Sequence, residues 1–293
     1  MRPSPLDSTS EIEAVAKTLL RESRAFGIFP TPVDKIIQTA ELNVAEGVDL
    51  GKAKQSYFSK AFEGIGKVSR KVLGLLDFRH RTIYLDLTQG IPRQRFIKMH
   101  EVGHSVLSWQ EDVYRWDDEQ TLDPFVKELF EKEASCFASA VLFQLDRFNE
   151  EAAKLPLGIK SAMALSKTFG ASSQAAIRRY IQSCPKRCAV LVLEPLEQFK
   201  SAKVRNCFES TAFIREFGYL SWPEECDLSF PFVQDMLRCR KLHEQGSLVV
   251  PTDTHGDISL AYHFFNNSYN SFVFLFPAGE TIHSRTKILV TRT

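Results

Sequence analysis

One five-residue segment constrains this chain more than any other, His100-Glu101-Val102-Gly103-His104. Pro92 precedes it, and proline is favoured in the first turn of a helix, so we predict a helix from Pro92 to about Trp109. Histidines four residues apart lie on the same side of a helix, about one turn apart. Their ring nitrogens can therefore meet at one metal ion without any bend in the backbone.

The glutamate beside the first histidine completes the pattern of a hydrolytic zinc site. Glu101 can accept a proton from a zinc-activated water and later deliver it to the leaving amine. Zinc lowers the pKa of such a water to about 7. We therefore predict a zinc metallopeptidase with His100 and His104 as metal ligands and Glu101 as the catalytic residue. Mn²⁺ or Fe²⁺ would also fit a site of two histidines and one carboxylate.

The same pattern also occurs by chance on solvated helix faces, and the neighbouring residues help to decide between the two interpretations. Phe96 and Leu107 lie on the histidine side of the predicted helix, with Met99 and Val106 beside it. This side is therefore expected to face a core. Buried histidines without a partner cost free energy, and a metal ion is one natural partner.

A catalytic zinc takes three protein ligands and keeps one position open, so a third ligand must come from elsewhere. The next predicted helix offers Glu131 and Glu133, and their positions on that helix do not separate them. The alternative is that both are surface charges paired with Lys127 and Lys132. Gly103 costs roughly 1 kcal/mol relative to alanine inside a helix, which indicates that something packs closely there, such as the helix carrying the third ligand.

The pattern of apolar residues along the whole chain predicts a mixed α+β fold. We predict a helix over Glu11–Phe26, a helix capped by Thr31 with Pro32 in its first turn and running to about Glu41, a helix from Phe125 to about Glu150, and two short helices within Ser161–Gln182. A hairpin is expected with strands Val72–Leu76 and Thr82–Leu85. Further β-like runs are Ala189–Leu193, Ser247–Val250, Ile258–Tyr262, Ser271–Phe276 and Lys287–Val290.

These elements suggest three parts along the chain. We place a metallopeptidase domain with a small sheet over residues 1–155, a helix-turn-helix-like segment over 156–187, and an α+β regulatory or sensor domain over 188–293. The segment Leu155-Pro156-Leu157-Gly158 marks the first boundary because proline and glycine interrupt regular structure.

Composition bears on location and partners. The formal net charge is +1, which gives no general basic field for nucleic acid or an anionic membrane. No apolar run approaches the roughly 18 residues of a membrane span, and no export signal is evident, so we expect a cytoplasmic protein without a membrane partner. Basic residues flank the helix-turn-helix-like turn and could contact DNA, but a packing or substrate-docking role is favoured. They are Lys160, Lys167, Arg178 and Arg179.

Two of these segments together resemble a known family. Arg95–His104 is similar to the zinc helix of the ImmA/IrrE metallopeptidases, whose usual form is Arg-Phe, three residues, then His-Glu-Leu-Gly-His. Glu131–Ala138 resembles the second helix of that family, and aligning Ala134 with its equivalent places the liganding glutamate at Glu131. The chain departs from the family pattern at Ser135, where Asn or Asp is usual, and at Gln144, where proline is usual.

The resemblance implies a zincin-like peptidase that regulates transcription. Members of this family cleave helix-turn-helix repressors and so switch on genes for stress response or mobile-element transfer. The branch tied to radiation resistance adds a helix-turn-helix piece and a GAF-like sensor domain, which is the expectation here for the C-terminal part. Ser135 motivates an alternative, a non-proteolytic sensor or transcriptional regulator whose metal site is structural or inactive.

Overall fold

The computed structural model of the chain describes residues 8–45, 74–116, 123–196, 201–252 and 256–280. The chain forms two compact units. The first comprises Met1–Phe148 and Lys167–Ser172, and the second comprises Asn149–Ser166 and Ser173–Thr293. The three-part division over 1–155, 156–187 and 188–293 stays a prediction.

The first unit combines helices with one small sheet. Its elements are α1 (Thr9–Glu22), α2 (Val33–Thr39), β1 (Asn43–Val44), β2 (Gly74–Asp77), β3 (Thr82–Leu85), α3 (Ile91–Val106), α4 (Ser108–Trp116) and α5 (Pro124–Phe143). The sheet has the order β1-β3-β2, with β1 parallel and β2 antiparallel to β3. The predicted hairpin is present from Gly74 onwards, and residues 72–73 lie outside the described ranges. Two further helices, α6 (Arg147–Ala153) and α7 (Ile159–Phe169), run across the division between the units.

The core of the first unit lies around α3 and α5. Met99 and Val102 of α3 are fully buried, as are Phe137 and Val141 of α5. Ile83 of β3 belongs to the same apolar cluster. The helix with the two histidines is therefore held on several sides by apolar contacts, which fix its position and orientation.

The predicted helix from Pro92 to Trp109 is interrupted at Leu107, so this prediction is wrong in its last turn. Leu107 has extended backbone angles, φ −80° and ψ 97°, and ends α3. The chain then starts the separate helix α4 at Ser108. Leu107 itself is fully buried, so the break in the helix lies within the core of the first unit.

The predicted helix over Phe125–Glu150 is also divided, because Gln144 adopts a left-handed conformation with φ 51° and ends α5. The fully buried Gln144 amide accepts a hydrogen bond from the Gly27 backbone N–H at 2.6 Å and donates to the Ile28 carbonyl at 2.8 Å. These bonds join the loop at Gly27 and Ile28 to the end of α5. The helix resumes as α6.

Thr31 has a different role from the predicted one. Pro32 is the N-cap of α2 rather than part of its first turn, and no side-chain capping bond is present. The Thr31 hydroxyl instead donates to the carbonyls of Val141 and Leu142 at 3.3 and 3.2 Å. Thr31 therefore does not cap α2 but links the loop before α2 to the end of α5.

Within the described residues, the second unit is built on an antiparallel sheet of six strands. Its elements are α8 (Ser173–Ser183), β4 (Ala189–Leu193), β5 (Ala202–Glu209), α9 (Thr211–Phe217), β6 (Glu225–Cys226), α10 (Pro231–Leu237), β7 (Leu242–Thr252), β8 (Gly256–Asn266) and β9 (Ser271–Pro277). The strand order is β6-β5-β4-β9-β8-β7. The central strands β4 and β9 are buried at every residue. The predicted α+β fold class is confirmed.

Helices cover both faces of this sheet. Phe213 of α9 and Phe232 of α10 share an apolar cluster with Leu191 of β4. On the other face, the ring of Tyr180 in α8 lies 6.0 Å from that of Phe274 in β9. The GAF-like assignment stays a prediction, and the predicted strand Lys287–Val290 lies outside the described residues.

Within the described part of the chain, no helix combines the length and the apolar character that crossing a bilayer requires.

Candidate metal centre

The two histidines of α3 and one glutamate of α5 converge at a single point. His100 Nε2 lies 3.2 Å from His104 Nε2 and 3.2 Å from Glu131 Oε2. His104 Nε2 lies 3.6 Å from Glu131 Oε1. The three residues form a group that could hold one metal ion.

These spacings fit a tetrahedral ion. Ligand atoms held about 2.0–2.1 Å from zinc at tetrahedral angles lie about 3.3–3.4 Å from one another, and the observed separations of 3.2 to 3.6 Å bracket that value. Two imidazole nitrogens that face each other this closely repel unless a proton or a cation lies between them. The donor set of two imidazoles and one carboxylate suits zinc, and also iron or manganese.

The burial of the three side chains is graded. The side chain of His104 is 7% exposed and that of His100 is 15% exposed, whereas that of Glu131 is 52% exposed. The histidines are therefore held inside the protein, while the glutamate side of the group is open to solvent. A hydrolytic site needs such an opening for water and substrate.

The carboxylate and the imidazoles stabilise each other electrostatically. Hydrogen bonds from His100 and His104 hold the pKa of Glu131 well below its usual range. Burial alone would lower the pKa of His104, but the hydrogen bond to Glu131 and the charge of Glu101 outweigh burial and raise it. The cluster therefore favours positive charge near the histidines, as expected of a cation site.

Glu101 lies on α3 close to the small sheet, and its charge still acts on His104. It is 7% exposed. A Cβ atom added at Gly74 of β2 would overlap the Ile97 side chain and would lie 2.8 Å from Glu101 Oε1. The glycine at the start of β2 therefore leaves the space that the Glu101 carboxylate uses.

Gly103 allows the close approach of the helix that carries Glu131. A Cβ atom at this position would lie 3.1 Å from Phe137 Cδ1 and 3.2 Å from Ala134 Cα, both on α5. The sequence-based interpretation of Gly103 as a point of close helix packing is confirmed. Without this contact, α5 could not bring its carboxylate to the histidines of α3.

The second glutamate of α5 has separate partners. Glu133 is 3% exposed and accepts hydrogen bonds from Trp109 Nε1 at 2.8 Å, Gln110 Nε2 at 2.7 Å and Ser8 Oγ at 2.5 Å. Spacing alone had left Glu131 and Glu133 open, with surface positions as the alternative. The structure brings Glu131 to the histidines and buries Glu133 among neutral donors.

Each histidine also has a contact at its other ring nitrogen. Ser135 Oγ lies 3.3 Å from His100 Nδ1, and Gln110 Oε1 lies 2.8 Å from His104 Nδ1. The Ser135 contact lies in the position that the family resemblance indicated. Gln110 was missed, and no motif could have identified it, because its approach depends on the turn of the chain at Leu107.

Two of the four candidate DNA-binding residues, Lys160 and Arg178, make contacts within the second unit. Lys160 forms an ion pair with Glu244, and the guanidinium of Arg178 lies 5.2 Å from the centre of the Phe208 ring. Both contacts tie basic side chains to the protein itself, in keeping with the packing role favoured from the sequence.

Comparison with known proteins points to one family for this region. Residues 62–180 match the profile of the family described as IrrE N-terminal-like domain, Peptidase_M78, and this range contains His100, Glu101, His104 and Glu131. A search of curated proteins finds no significant match. Among solved structures, the chain is similar to a Mycobacterium tuberculosis transcriptional regulator, with a TM-score of 0.53 and 12% identity over 92% of this chain and 78% of that one. At this identity the similarity concerns the fold alone.

Proposed function

We propose that this chain, which belongs to the ImmA/IrrE family through its residues 62–180, is a zinc-dependent endopeptidase. One observation carries the proposal, the convergence of His100, His104 and Glu131 within tetrahedral ligand spacing. Glu101, next to the first of these residues in α3, supplies the acid–base group that hydrolysis needs.

His100, His104 and Glu131 would hold the metal. A bound zinc ion lowers the pKa of a coordinated water to about 7 and polarises the carbonyl of the scissile bond. The two imidazoles are neutral donors, and Glu131 contributes one negative charge. The half-exposed Glu131 leaves its side of the site accessible to a polypeptide.

Glu101 carries the proton in this proposal. Its carboxylate accepts a proton from the attacking water and delivers it to the amine as the peptide bond breaks. Its burial against β2 keeps it in one place and limits competing contacts with bulk water. Precise placement matters because proton transfer requires hydrogen-bond distance.

The proposed substrate is a helix-turn-helix transcriptional repressor, whose cleavage would switch on stress-response or mobile-element genes. The resemblance to ImmA/IrrE peptidases supports this substrate class. The second unit, with its six-stranded sheet, would act as the regulatory or sensor part.

Replacing Glu101 tests the catalytic assignment. In Glu101→Gln the amide cannot accept the proton, so cleavage of a co-expressed helix-turn-helix repressor should fall by about 10²- to 10⁴-fold, while zinc content stays at the wild-type level. Mass spectrometry of the repressor and elemental analysis of the purified protein measure the two quantities. The matched control is Glu128→Gln, which makes the same change at an exposed residue paired with Lys132 and should leave both unchanged. Full cleavage by the Glu101 variant would remove this residue from its role.

The identity of the metal has its own test. Elemental analysis of protein purified without added metal should find zinc in the wild type and a large loss in His104→Ala and Glu131→Ala, because each variant removes one of three ligands. Manganese or iron in place of zinc would change the metal assignment and keep the site. Equal metal content in all three proteins would contradict the ligand set.

A non-proteolytic regulator is the second candidate. Ser135 supports it. This serine stands where the family usually has Asn or Asp, and its contact to His100 is long, at 3.3 Å. The solved structure of similar fold is also described as a transcriptional regulator. This candidate predicts that the co-expressed repressor loses its activity yet stays intact by mass, whereas the peptidase yields a discrete cut.

A further inference from the structure

We propose that Gln110 and Glu133 are positioning residues for the metal site. Together they hold the imidazole of His104 with a proton on Nδ1, so that its Nε2 atom is free to bind a metal ion. The inference rests on the metal-binding part of the proposed function. It assigns a role to Glu133, which lies on α5 but does not contact the two histidines directly.

Gln110 is a fully buried amide beside His104. Its exposed fraction is 0%, and its Oε1 atom lies 2.8 Å from His104 Nδ1. Burial of a polar amide costs free energy unless its hydrogen-bonding groups find partners. A buried glutamine with a short contact to a candidate ligand therefore constrains the geometry of that ligand.

The partners of Gln110 fix which way its amide points. Its Nε2 atom donates to Glu133 Oε2 at 2.7 Å and to the Phe130 carbonyl at 3.3 Å. A carboxylate and a carbonyl only accept hydrogen bonds, so the nitrogen side of the amide must face them. The oxygen side then faces His104.

The direction of this bond fixes the state of the imidazole. Because Gln110 Oε1 accepts, His104 Nδ1 must donate, and in the neutral ring the lone pair then lies on Nε2. Nε2 is the atom that faces His100 and Glu131. A hydrogen bond donated from the far nitrogen also makes a metal-binding histidine more basic.

Glu133 is held firmly enough to impose this direction. Trp109 Nε1 and Ser8 Oγ donate to it in addition to Gln110, and it is 3% exposed. A buried carboxylate with neutral donors forms charge-assisted hydrogen bonds, which are shorter and stronger than neutral ones. In this chain of hydrogen bonds His104 therefore donates to Gln110, and Gln110 donates to Glu133.

The two histidines differ in this respect. At His100 the Nδ1 atom contacts the hydroxyl of Ser135 at 3.3 Å, and a hydroxyl can donate or accept. Ser135 therefore does not specify the state of the His100 ring. In this chain the firm contact to a histidine is made at His104, through residues from α4 and α5.

Zinc affinity of Gln110→Met tests the inference. Methionine has a similar length but no hydrogen-bonding amide, so the zinc affinity, measured by competition with a chromogenic chelator, should fall by about 10- to 100-fold. The matched control is Gln144→Met. Gln144 is also fully buried and hydrogen-bonded to backbone groups, but it has no contact with the histidines and should keep wild-type affinity in the folded protein.

The possible outcomes separate the two proposals. An unchanged affinity in Gln110→Met, or an equal loss in both variants, overturns the positioning role. Wild-type protein that binds no zinc overturns the metal site and this inference together. Wild-type protein that binds zinc but cleaves nothing, with reduced affinity in Gln110→Met only, supports this inference and contradicts the peptidase.

A measurement on the wild type covers the case in which Gln110→Met does not fold. Nitrogen-15 NMR of histidine-labelled, zinc-loaded protein should find the Nδ1 proton of His104 in slower exchange with water than that of His100. The expected reason is that His104 Nδ1 forms a short hydrogen bond to Gln110, whereas His100 Nδ1 has a longer contact to Ser135. Equal or faster exchange at His104 would overturn the inference.

Discussion

The carboxylate of Glu101 reaches its position because residue 74 has no side chain. A Cβ atom there would lie 2.8 Å from Glu101 Oε1 and would overlap Ile97. Contacts below 3 Å force a neighbour to move, and the end of a glutamate side chain moves more easily than a packed methyl group. A sequence with alanine at position 74 would therefore fold with the Glu101 carboxylate displaced.

We predict that Gly74→Ala lowers peptidase activity by about 10- to 100-fold, because misplacement of a catalytic group by about 1 Å is enough for such a loss. Zinc content should not change, since the nearest atoms to a Cβ at position 74 belong to Ile97 and Glu101 and not to the three proposed ligands. Cleavage rate and zinc content of the purified variant measure both. Gly90→Ala is the control, because a Cβ atom at Gly90 meets no heavy atom within 4 Å. Equal activity in the two variants would contradict this account of Glu101.

Residue spacing predicted part of this site and missed part of it. His100, Glu101 and His104 follow from the helical repeat, because the repeat fixes which residues share a side. Gln110 lies six residues after His104, on a different face of any continuous helix. It comes back to His104 because the helix ends at Leu107, whose backbone is extended.

At the scale of elements, the site depends on the packing of α3 against α5. Gly103 contacts Ala134 and Phe137 of α5, and Glu131 lies one turn before Ala134 on that helix. The distance between the helices therefore sets the distance between the carboxylate and the histidines. A larger side chain at Gly103 must push α5 away or distort α3.

We predict that Gly103→Val lowers the free energy of unfolding by about 1–3 kcal/mol, the usual cost of overpacking. The same variant should bind zinc more weakly, because Glu131 moves away from the two imidazoles. Chemical denaturation and chelator competition measure the two effects. Unchanged affinity together with unchanged stability would contradict the view that the helix spacing positions the third ligand.

The ends of helices were predicted less well than their interiors. The apolar pattern of α5 continues past Phe143, which favoured one helix as far as Glu150. The buried amide of Gln144 ends it instead, by bonding to Gly27 and Ile28 in a loop distant in sequence. Such bonds stabilise the conformation in which the helix ends at Gln144. No local sequence pattern predicts them.

Strands in the second unit show the same limit. β4 and β9 are buried throughout, and their continuous apolar runs predicted them. β5 was not predicted, because its eight residues show no regular alternation between buried and exposed positions. It becomes a strand by pairing with β4 and β6, and that pairing is set by the fold of the whole unit.

At the scale of the whole molecule, one buried histidine links stability to pH. His263 on β8 is 7% exposed, and its Nδ1 atom has no hydrogen-bond partner within the described residues. A Cβ atom at Gly158 would lie 2.8 Å from the His263 ring. Burial lowers the pKa of His263 below 6.5, while Glu244 raises it and Lys160 and His243 lower it further.

We predict that the stability of the chain falls as the pH drops below about 6.5. The unfolded chain takes up a proton at His263 in this range and the folded chain resists it, so acid favours unfolding. His263→Phe should weaken this dependence. Urea denaturation followed by tryptophan fluorescence at about pH 7.5 and about pH 5.5 compares the two proteins. An equal loss of stability in both would contradict the role of His263.

The sequence by itself predicted that His100 and His104 share one side of a helix, and it predicted the α+β class of the fold. A residue repeat fixes which side chains share a helix face, and a continuous apolar run indicates a buried strand, because both depend only on local backbone geometry. Spacing left Glu131 and Glu133 open and the family resemblance favoured Glu131, but only the tertiary structure decided that Glu133 and Gln110 lie behind His104 and that two helices end early. These features arise where segments distant in sequence pack against each other and form hydrogen bonds. No local sequence pattern specifies those contacts.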